Sequence, residues 1–264
     1  MLIAGALLLG YLAAHKGFTR DLTSALKRDW FLFVQVILFH IYITYLCDLC
    51  ALKDISSIES AVIYNLSPFI AVFFSYIWFS EYMTPKKWIG LLIGFCAYLP
   101  HFFSSGFDPL LSPMWPRFIT LLAVVSSSYG WILLRALVKK GYSPIVINGI
   151  GMFCGGLLAL VTSYFTESWL PTPVTCWLPF MQATLLIIVV ANLLFYNLYG
   201  YLLKTYTASF LSFAGFMCPL FAAILGYLFL GETFSSSLVL SFLVVCIGLF
   251  VFYHEELKQG YISK

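Results

Sequence analysis

The sequence predicts an all-α integral membrane protein, and three observations support this fold class. Of its 264 residues, 62% are hydrophobic and only 9% are charged, whereas a soluble domain usually carries about 25% charged residues. The apolar runs have the length that a helix needs to cross a hydrocarbon core of about 30 Å. Residues 69–79 and similar runs also lack the apolar–polar alternation that strands of a membrane barrel require.

Short polar loops divide the chain into nine apolar segments, each a predicted helix. They are residues 1–14, 30–52, 56–79, 88–103, 118–138, 143–165, 180–201, 208–230 and 237–253. The first segment would extend only about 21 Å as a helix, which is too short to span the membrane. It lacks the basic start of a signal peptide, so we expect it to be the second half of a spanning helix.

The basic residues predict the orientation of the chain. Twelve of the 14 lie in alternate loops and in the C-terminal tail, and only Lys53 and Arg117 lie in the other loops. Loops rich in Lys and Arg stay in the cytoplasm. We therefore expect a multi-pass protein of the bacterial cytoplasmic (inner) membrane whose tail, residues 254–264, is cytoplasmic.

An internal repeat relates the two halves of the chain at an offset of 151 residues. The offset superposes three pairs of residues at the same places in their helices: Lys53 with Lys204, Pro68 with Pro219, and Glu81 with Glu232. We expect five helices in each complete repeat, and an odd number gives the two copies opposite orientations in the membrane. Inverted repeats of this kind are typical of secondary transporters, whose substrate site lies where the repeats meet.

The same offset defines the predicted domains. Repeat one covers residues 1–103 and repeat two covers residues 118–253, followed by the tail. Because Met1 then corresponds to Met152, in the middle of a predicted helix, repeat one is expected to lack its first helix and part of its second. We therefore expect about nine of ten helices and an N-terminally truncated form.

Several ordered motifs resemble the EamA domain. They are Ala51-Leu52-Lys53 leading to Ser67-Pro68, then Ser80-Glu81 and Trp88-Ile89-Gly90, and later Ser128-Tyr129-Gly130-Trp131 leading to Arg135, and Pro219 leading to Gly231-Glu232. EamA domains occur in tandem in the drug/metabolite transporter superfamily. The resemblance implies ten helices with both ends cytoplasmic and transport of a small organic metabolite. The superfamily includes amino-acid exporters, nucleotide-sugar carriers and S-adenosylmethionine carriers, and the sequence does not choose among them.

Polar and aromatic residues on equivalent faces of the two repeats form the candidate substrate site. Tyr45 and Asp48 lie on one face of helix 30–52, and the offset relates Ile41, Tyr45 and Asp48 to Asn192, Tyr196 and Tyr199. A carboxylate and aromatic rings suit a cationic or aromatic metabolite. The alternative is that Asp48 extends toward the outer interface and the tyrosines belong to its aromatic belt.

Asn65 completes the predicted substrate-binding set, because it precedes Pro68 by three residues. A proline within a helix leaves carbonyl groups unpaired, so Pro68 and Pro219 predict kinks at equivalent points that expose polar groups to a cavity. For Asn65 the alternative is a hydrogen bond between helices.

The sequence predicts a transporter of a small molecule within a lipid bilayer and no enzyme, cofactor or nucleic-acid partner. The four histidines show no metal-ligand spacing, and no P-loop or G-x-S-x-G motif is present. The competing hypothesis is a membrane-embedded enzyme acting on a lipid or amphipathic substrate, for which only Asp48, Glu59 and His40 offer catalytic groups. A homodimer is left open.

Overall fold

The computed structural model describes residues 1–14, 27–55, 60, 63–104, 114–167, 174, 176–217, 221 and 236–262, and all regular structure in these ranges is helical. The helices are α1 (Leu2–Ala13), α2 (Trp30–Ala51), α3 (Ser67–Phe79), α4 (Pro85–Ser104), α5 (Met114–Lys139), α6 (Pro144–Thr166), α7 (Trp177–Leu202), α8 (Ala208–Ala214, extended by a 3₁₀ turn at Gly215–Met217) and α9 (Ser236–Lys258).

The predicted all-α membrane fold is confirmed. Within the described ranges, five helices are long and apolar enough to cross a membrane, and they are Trp30–Ala51, Met114–Lys139, Pro144–Thr166, Trp177–Leu202 and Leu240–Lys258. Most predicted boundaries agree with the observed ones to within four residues. They agree because hydrocarbon thickness sets the length of an apolar segment and charged residues end it.

The predicted helix 56–79 differs from the structure, which has a turn at Asn65–Leu66 and begins α3 at Ser67. Pro68 therefore lies in the first turn of α3, where its missing N–H would have no partner within the helix. It begins a helix where the sequence predicts a kink inside one. Pro219 lies outside the described residues, as does most of predicted helix 208–230 beyond Met217.

Two π-helical segments interrupt the long helices. One occupies Val36–Ile43 in α2 and the other Ile187–Phe195 in α7. Their first residues are 151 positions apart, so the wider helical turn recurs at the same place in both repeats. Segments of this kind are rare and often mark functional sites.

The chain divides into two compact units. Unit 1 contains Met1–Leu46 and Tyr129–Lys204, and unit 2 contains Cys47–Ser128 and Thr205–Lys264. Each unit therefore takes helices from both sequence repeats. One buried cluster of unit 1 contains Ala4, Leu8, Ile41, Met152 and Tyr196. One buried cluster of unit 2 contains Val72, Leu91, Phe213, Phe216, Val245, Leu249 and Phe252.

Within unit 1, α1 and α6 pack through glycines that the offset of 151 relates. A Cβ added at Gly5 would overlap the backbone of Phe153, and one added at Gly156 would lie 2.7 Å from the backbone nitrogen of Leu2. The offset converts the first contact into the second. The two contacts show that the equivalent helices α1 and α6 run in opposite directions, as an inverted repeat requires.

Unit 2 repeats this arrangement between α4 and α9. A Cβ at Gly90 would lie 2.9 Å from the carbonyl oxygen of Gly248, and the Ser241 hydroxyl donates to the carbonyl of Ala97 at 2.7 Å. The offset relates Gly90 to Ser241 and Ala97 to Gly248. Small residues therefore allow equivalent helices to approach closely in each unit.

Hydrogen bonds and ion pairs connect helix ends within each unit. In unit 1, Asp29 accepts hydrogen bonds from Lys140 and Tyr142, and the bond from Lys140 is the main cause that holds the pKa of Asp29 below its ordinary value. In unit 2, the ammonium group of Lys87 lies 3.1 Å from the carboxylate of Glu256, and both side chains are buried.

Candidate functional site

Four rings from three helices of unit 1 form an aromatic cluster, which we define as His40, Trp131, Tyr196 and Tyr199. The centroid of the Trp131 ring lies 3.9 Å from that of Tyr199, 4.3 Å from His40 and 5.2 Å from Tyr196. The imidazole of His40 also lies 5.3 Å from the Tyr196 ring. Trp131 and Tyr199 are half-buried, whereas His40 and Tyr196 are buried.

Local sequence brings these rings together. Tyr196 and Tyr199 are three residues apart in α7, so they project from the same face of that helix. Gly130 lies directly before Trp131 in α5, and a Cβ there would overlap His40. The glycine thus lets the π segment of α2 approach α5 closely enough for His40 to reach the indole ring.

A hydroxyl pair joins Tyr45, a further residue of the first repeat, to the cluster. The hydroxyl oxygens of Tyr45 and Tyr196 lie 2.9 Å apart, in a hydrogen bond between residues separated by 151 positions. The two tyrosines are therefore repeat equivalents that bond to each other. Such a contact is expected at the axis that relates two inverted copies.

Three asparagines from α6 and α7 lie near Tyr196 in the structure or in the sequence. The Asn148 amide donates to the carbonyl oxygen of Tyr196 and to the side chain of Asn197, both at 3.1 Å. Asn192 lies one helical turn before Tyr196 and is completely buried. Neither atom of its side-chain amide has a hydrogen-bond partner among the residues that the structure describes.

Asp48 and Asn65 belong to unit 2. The carboxylate of Asp48 accepts hydrogen bonds from the hydroxyls of Tyr64 and Ser60. Its Oδ1 atom is buried and has no hydrogen-bond partner within the described ranges. Asn65 is half-buried in the turn before α3.

Three of the six predicted site residues, Tyr45, Tyr196 and Tyr199, therefore belong to one connected group in unit 1, and Asn192 lies on the same helix face. Sequence reasoning did not select His40 or Trp131 as site residues. Two features of the sequence could have indicated them. One is the glycine directly before Trp131. The other is a histidine within a strongly apolar helix, because a polar residue is energetically unfavourable inside a membrane and often has a function there.

The aromatic cluster offers a specific chemistry. Aromatic faces stack on flat rings, and the electron-rich face of an indole or phenol attracts cations. Trp131 and Tyr199 are only half-buried. The cluster therefore suits a ligand that combines a heteroaromatic ring with a positive charge.

Comparisons with known proteins point to transport. The model of the EamA-like transporter family matches residues 1–100 and 114–254. A protein named S-adenosylmethionine/S-adenosylhomocysteine transporter from Chlamydia trachomatis serovar D is 35% identical, over 99% of this chain and 81% of its own length. The protein of the same name from Chlamydia muridarum is 34% identical, over 99% of this chain and 83% of its own.

A solved crystal structure supports the fold. It superposes with a TM-score of 0.75 at 19% sequence identity, covering 95% of this chain and 84% of its own. At this identity the likeness concerns the fold alone.

Proposed function

Because the chain belongs to the EamA-like transporter family, we propose that it carries S-adenosylmethionine and its demethylated form, S-adenosylhomocysteine, across the bacterial inner membrane. Two relatives with this named activity match nearly all of the chain. The sequence predicts transport of a small organic metabolite, for which amino acids and S-adenosylmethionine-like compounds were both candidates. We propose the second of these substrate classes.

The aromatic cluster is the observation that carries the proposal. S-adenosylmethionine contains a flat adenine ring and a positively charged sulfonium, and both groups bind favourably to aromatic faces. Trp131 has three aromatic neighbours within 5.2 Å. The half-buried rings of Trp131 and Tyr199 would hold adenine, and the surrounding rings would stabilise the cationic sulfur.

Asp48, in unit 2, is proposed as a separate contact for the cationic substrate during transport. Its hydrogen bonds come from the hydroxyls of Tyr64 and Ser60. These two donors are neutral, so they do not balance the negative charge of the carboxylate. A carboxylate held away from bulk water gains when it pairs with a cationic ligand. Asn65, in the turn before α3 of the same unit, is proposed as a further polar contact for the substrate.

The substrate pathway is proposed to pass between the two repeats by alternating access. Tyr45 of repeat one and Tyr196 of repeat two meet through their hydroxyls, which supports a site at the junction of the repeats. The predicted orientation, with the C-terminal tail in the cytoplasm, is part of this proposal. It rests on the distribution of Lys and Arg between the loops.

The competing hypothesis of a membrane-embedded enzyme has less support. His40, one of its proposed catalytic groups, packs between aromatic rings in unit 1. Glu59, another, lies outside the described residues. The family and both named relatives are transporters, which favours transport over catalysis.

Exchange in proteoliposomes tests the proposed function. Vesicles loaded with unlabelled S-adenosylhomocysteine should take up radiolabelled S-adenosylmethionine faster than empty vesicles, because counterflow returns the carrier to the outer face. Excess external S-adenosylhomocysteine should compete, whereas methionine should compete poorly because it lacks the adenine ring. Absence of uptake by folded, correctly inserted protein would refute the proposal.

A further inference from the structure

Asn192 is a buried polar residue whose burial is unusual for its helix. In α7 the buried residues are Asn192, Tyr196, Asn197 and Gly200. Neighbouring residues such as Leu186, Leu194 and Leu198 are at least 58% exposed. Asn192 therefore belongs to the single stripe of α7 that faces the interior of unit 1.

The two other polar residues of this stripe, Tyr196 and Asn197, have hydrogen-bond partners. Asn197 accepts a hydrogen bond from Asn148 and donates one to the carbonyl oxygen of Leu193. Tyr196 bonds to Tyr45. By contrast, both polar atoms of Asn192 are unpartnered within the described part of the chain, although the residue is completely buried. A buried amide without partners is destabilising, so such a group in a membrane helix is a functional candidate.

The repeat relation pairs this amide with Tyr45, the residue that bonds to Tyr196 of the aromatic cluster. Its repeat equivalent is Ile41, an apolar residue that packs in the same core group as Tyr196. The offset of 151 converts the pair Ile41 and Tyr196 into the pair Asn192 and Tyr45. One repeat thus has a hydrocarbon side chain where the other has an amide.

We propose that Asn192 recognises the edge of the adenine ring, its side-chain amide pairing with the exocyclic amine and an adjacent ring nitrogen. The inference rests on the proposed function and adds the group that distinguishes adenine from other flat rings. An amide presents one donor group and one acceptor, and the adenine edge presents the complementary pair. The aromatic cluster selects a flat ring, and Asn192 selects which ring.

Two ligands test this assignment. They are S-adenosylhomocysteine and the analogue in which hydrogen replaces the 6-amino group of its purine. Both have the same amino-acid moiety and an aromatic purine, but the analogue leaves the Asn192 carbonyl oxygen without a donor. Competition against radiolabelled S-adenosylmethionine on purified protein should show about 10-fold weaker binding of the analogue, as expected when one buried group stays unpaired.

The variant Asn192→Leu preserves the approximate side-chain volume and removes the amide. It should bind the two ligands with equal affinity, by weakening the binding of S-adenosylhomocysteine, and its melting temperature should be equal to or above that of the wild type. Asn197→Leu is the matched control on the same helix. Because it breaks the bonds to Asn148 and Leu193, it should lower the melting temperature and retain the 10-fold preference.

The outcomes separate this inference from the proposed function. Equal binding of the two ligands by the wild type overturns the role of Asn192 while leaving transport intact. A retained preference in Asn192→Leu, or a large fall in its melting temperature, also overturns it, because the amide would then act elsewhere or hold helices together. If the wild type binds neither ligand, the proposed function fails and the inference fails with it.

Discussion

The hydroxyl oxygens of Tyr45 and Tyr196 lie 2.9 Å apart, and the two residues are repeat equivalents. Their hydrogen bond links the first repeat to a ring that packs against both Trp131 and His40. Tyr45 thus fixes the position of Tyr196 within the aromatic cluster. The equivalence of the two partners also marks where the repeats meet in unit 1.

Tyr45→Phe should weaken binding of S-adenosylmethionine about fivefold, because it removes a hydrogen bond worth about 1 kcal/mol that orients Tyr196. Tyr42→Phe is a matched control, since the Tyr42 hydroxyl bonds to Thr162 at 2.6 Å and not to the cluster. Affinity and melting temperature should be measured for both variants. Equal losses of affinity would mean that Tyr45 has only a structural role.

Trp131→Leu should weaken binding of S-adenosylhomocysteine by roughly 1–3 kcal/mol, the usual loss when an aromatic side chain no longer stacks on a base. Trp177→Leu changes a tryptophan that is 58% exposed and outside the cluster, so its affinity should stay near that of the wild type. Equilibrium binding of radiolabelled ligand measures the difference. If both variants bind normally, the cluster is a packing group.

Tyr196→Ala should impair binding of ligands that carry a flat aromatic ring and should spare small aliphatic competitors. The reason is that Tyr196 packs against the Trp131 indole and is held by Tyr45. The measurement is competition by S-adenosylhomocysteine and by methionine, each relative to the wild type. An equal loss for both competitors would indicate general damage to the fold.

Asp48→Asn should weaken binding of the cationic substrate by roughly 1–3 kcal/mol, the range for a hydrogen bond to a charged group, and should leave expression and insertion nearly unchanged. Asp54→Asn, at an exposed carboxylate after the same helix, should have no effect. Affinity and thermal stability should be compared for both. If Asp48→Asn binds normally, or loses affinity and stability together, Asp48 is an interfacial or packing residue.

Labelling of introduced single cysteines tests the orientation, in a background in which all seven native cysteines are replaced by serine. An impermeant thiol reagent should label Ser168→Cys from outside the cell, and Ser263→Cys only after permeabilisation, because loops rich in Lys and Arg are expected to face the cytoplasm. Both positions lie outside the described residues, so the prediction rests on sequence alone. The reverse pattern would overturn the orientation.

The sequence by itself determined most helix boundaries, because the length of an apolar run and the charges that end it are local properties. It also revealed the repeat, and the offset of 151 recurs in the Tyr45–Tyr196 bond and in the π segments. Three of the candidate site residues, Asn192, Tyr196 and Tyr199, were selected through that offset. The break before Pro68 was missed, since periodicity does not show where a helix restarts.

Only the tertiary structure decided which residues share a site. His40 and Trp131 are 91 positions apart, and no periodicity relates them. They meet because Gly130 permits a close approach of the two helices that carry them. The division into units that each draw on both repeats was equally invisible in the sequence. Helix formation depends on neighbours along the chain, whereas a binding site depends on packing between distant segments.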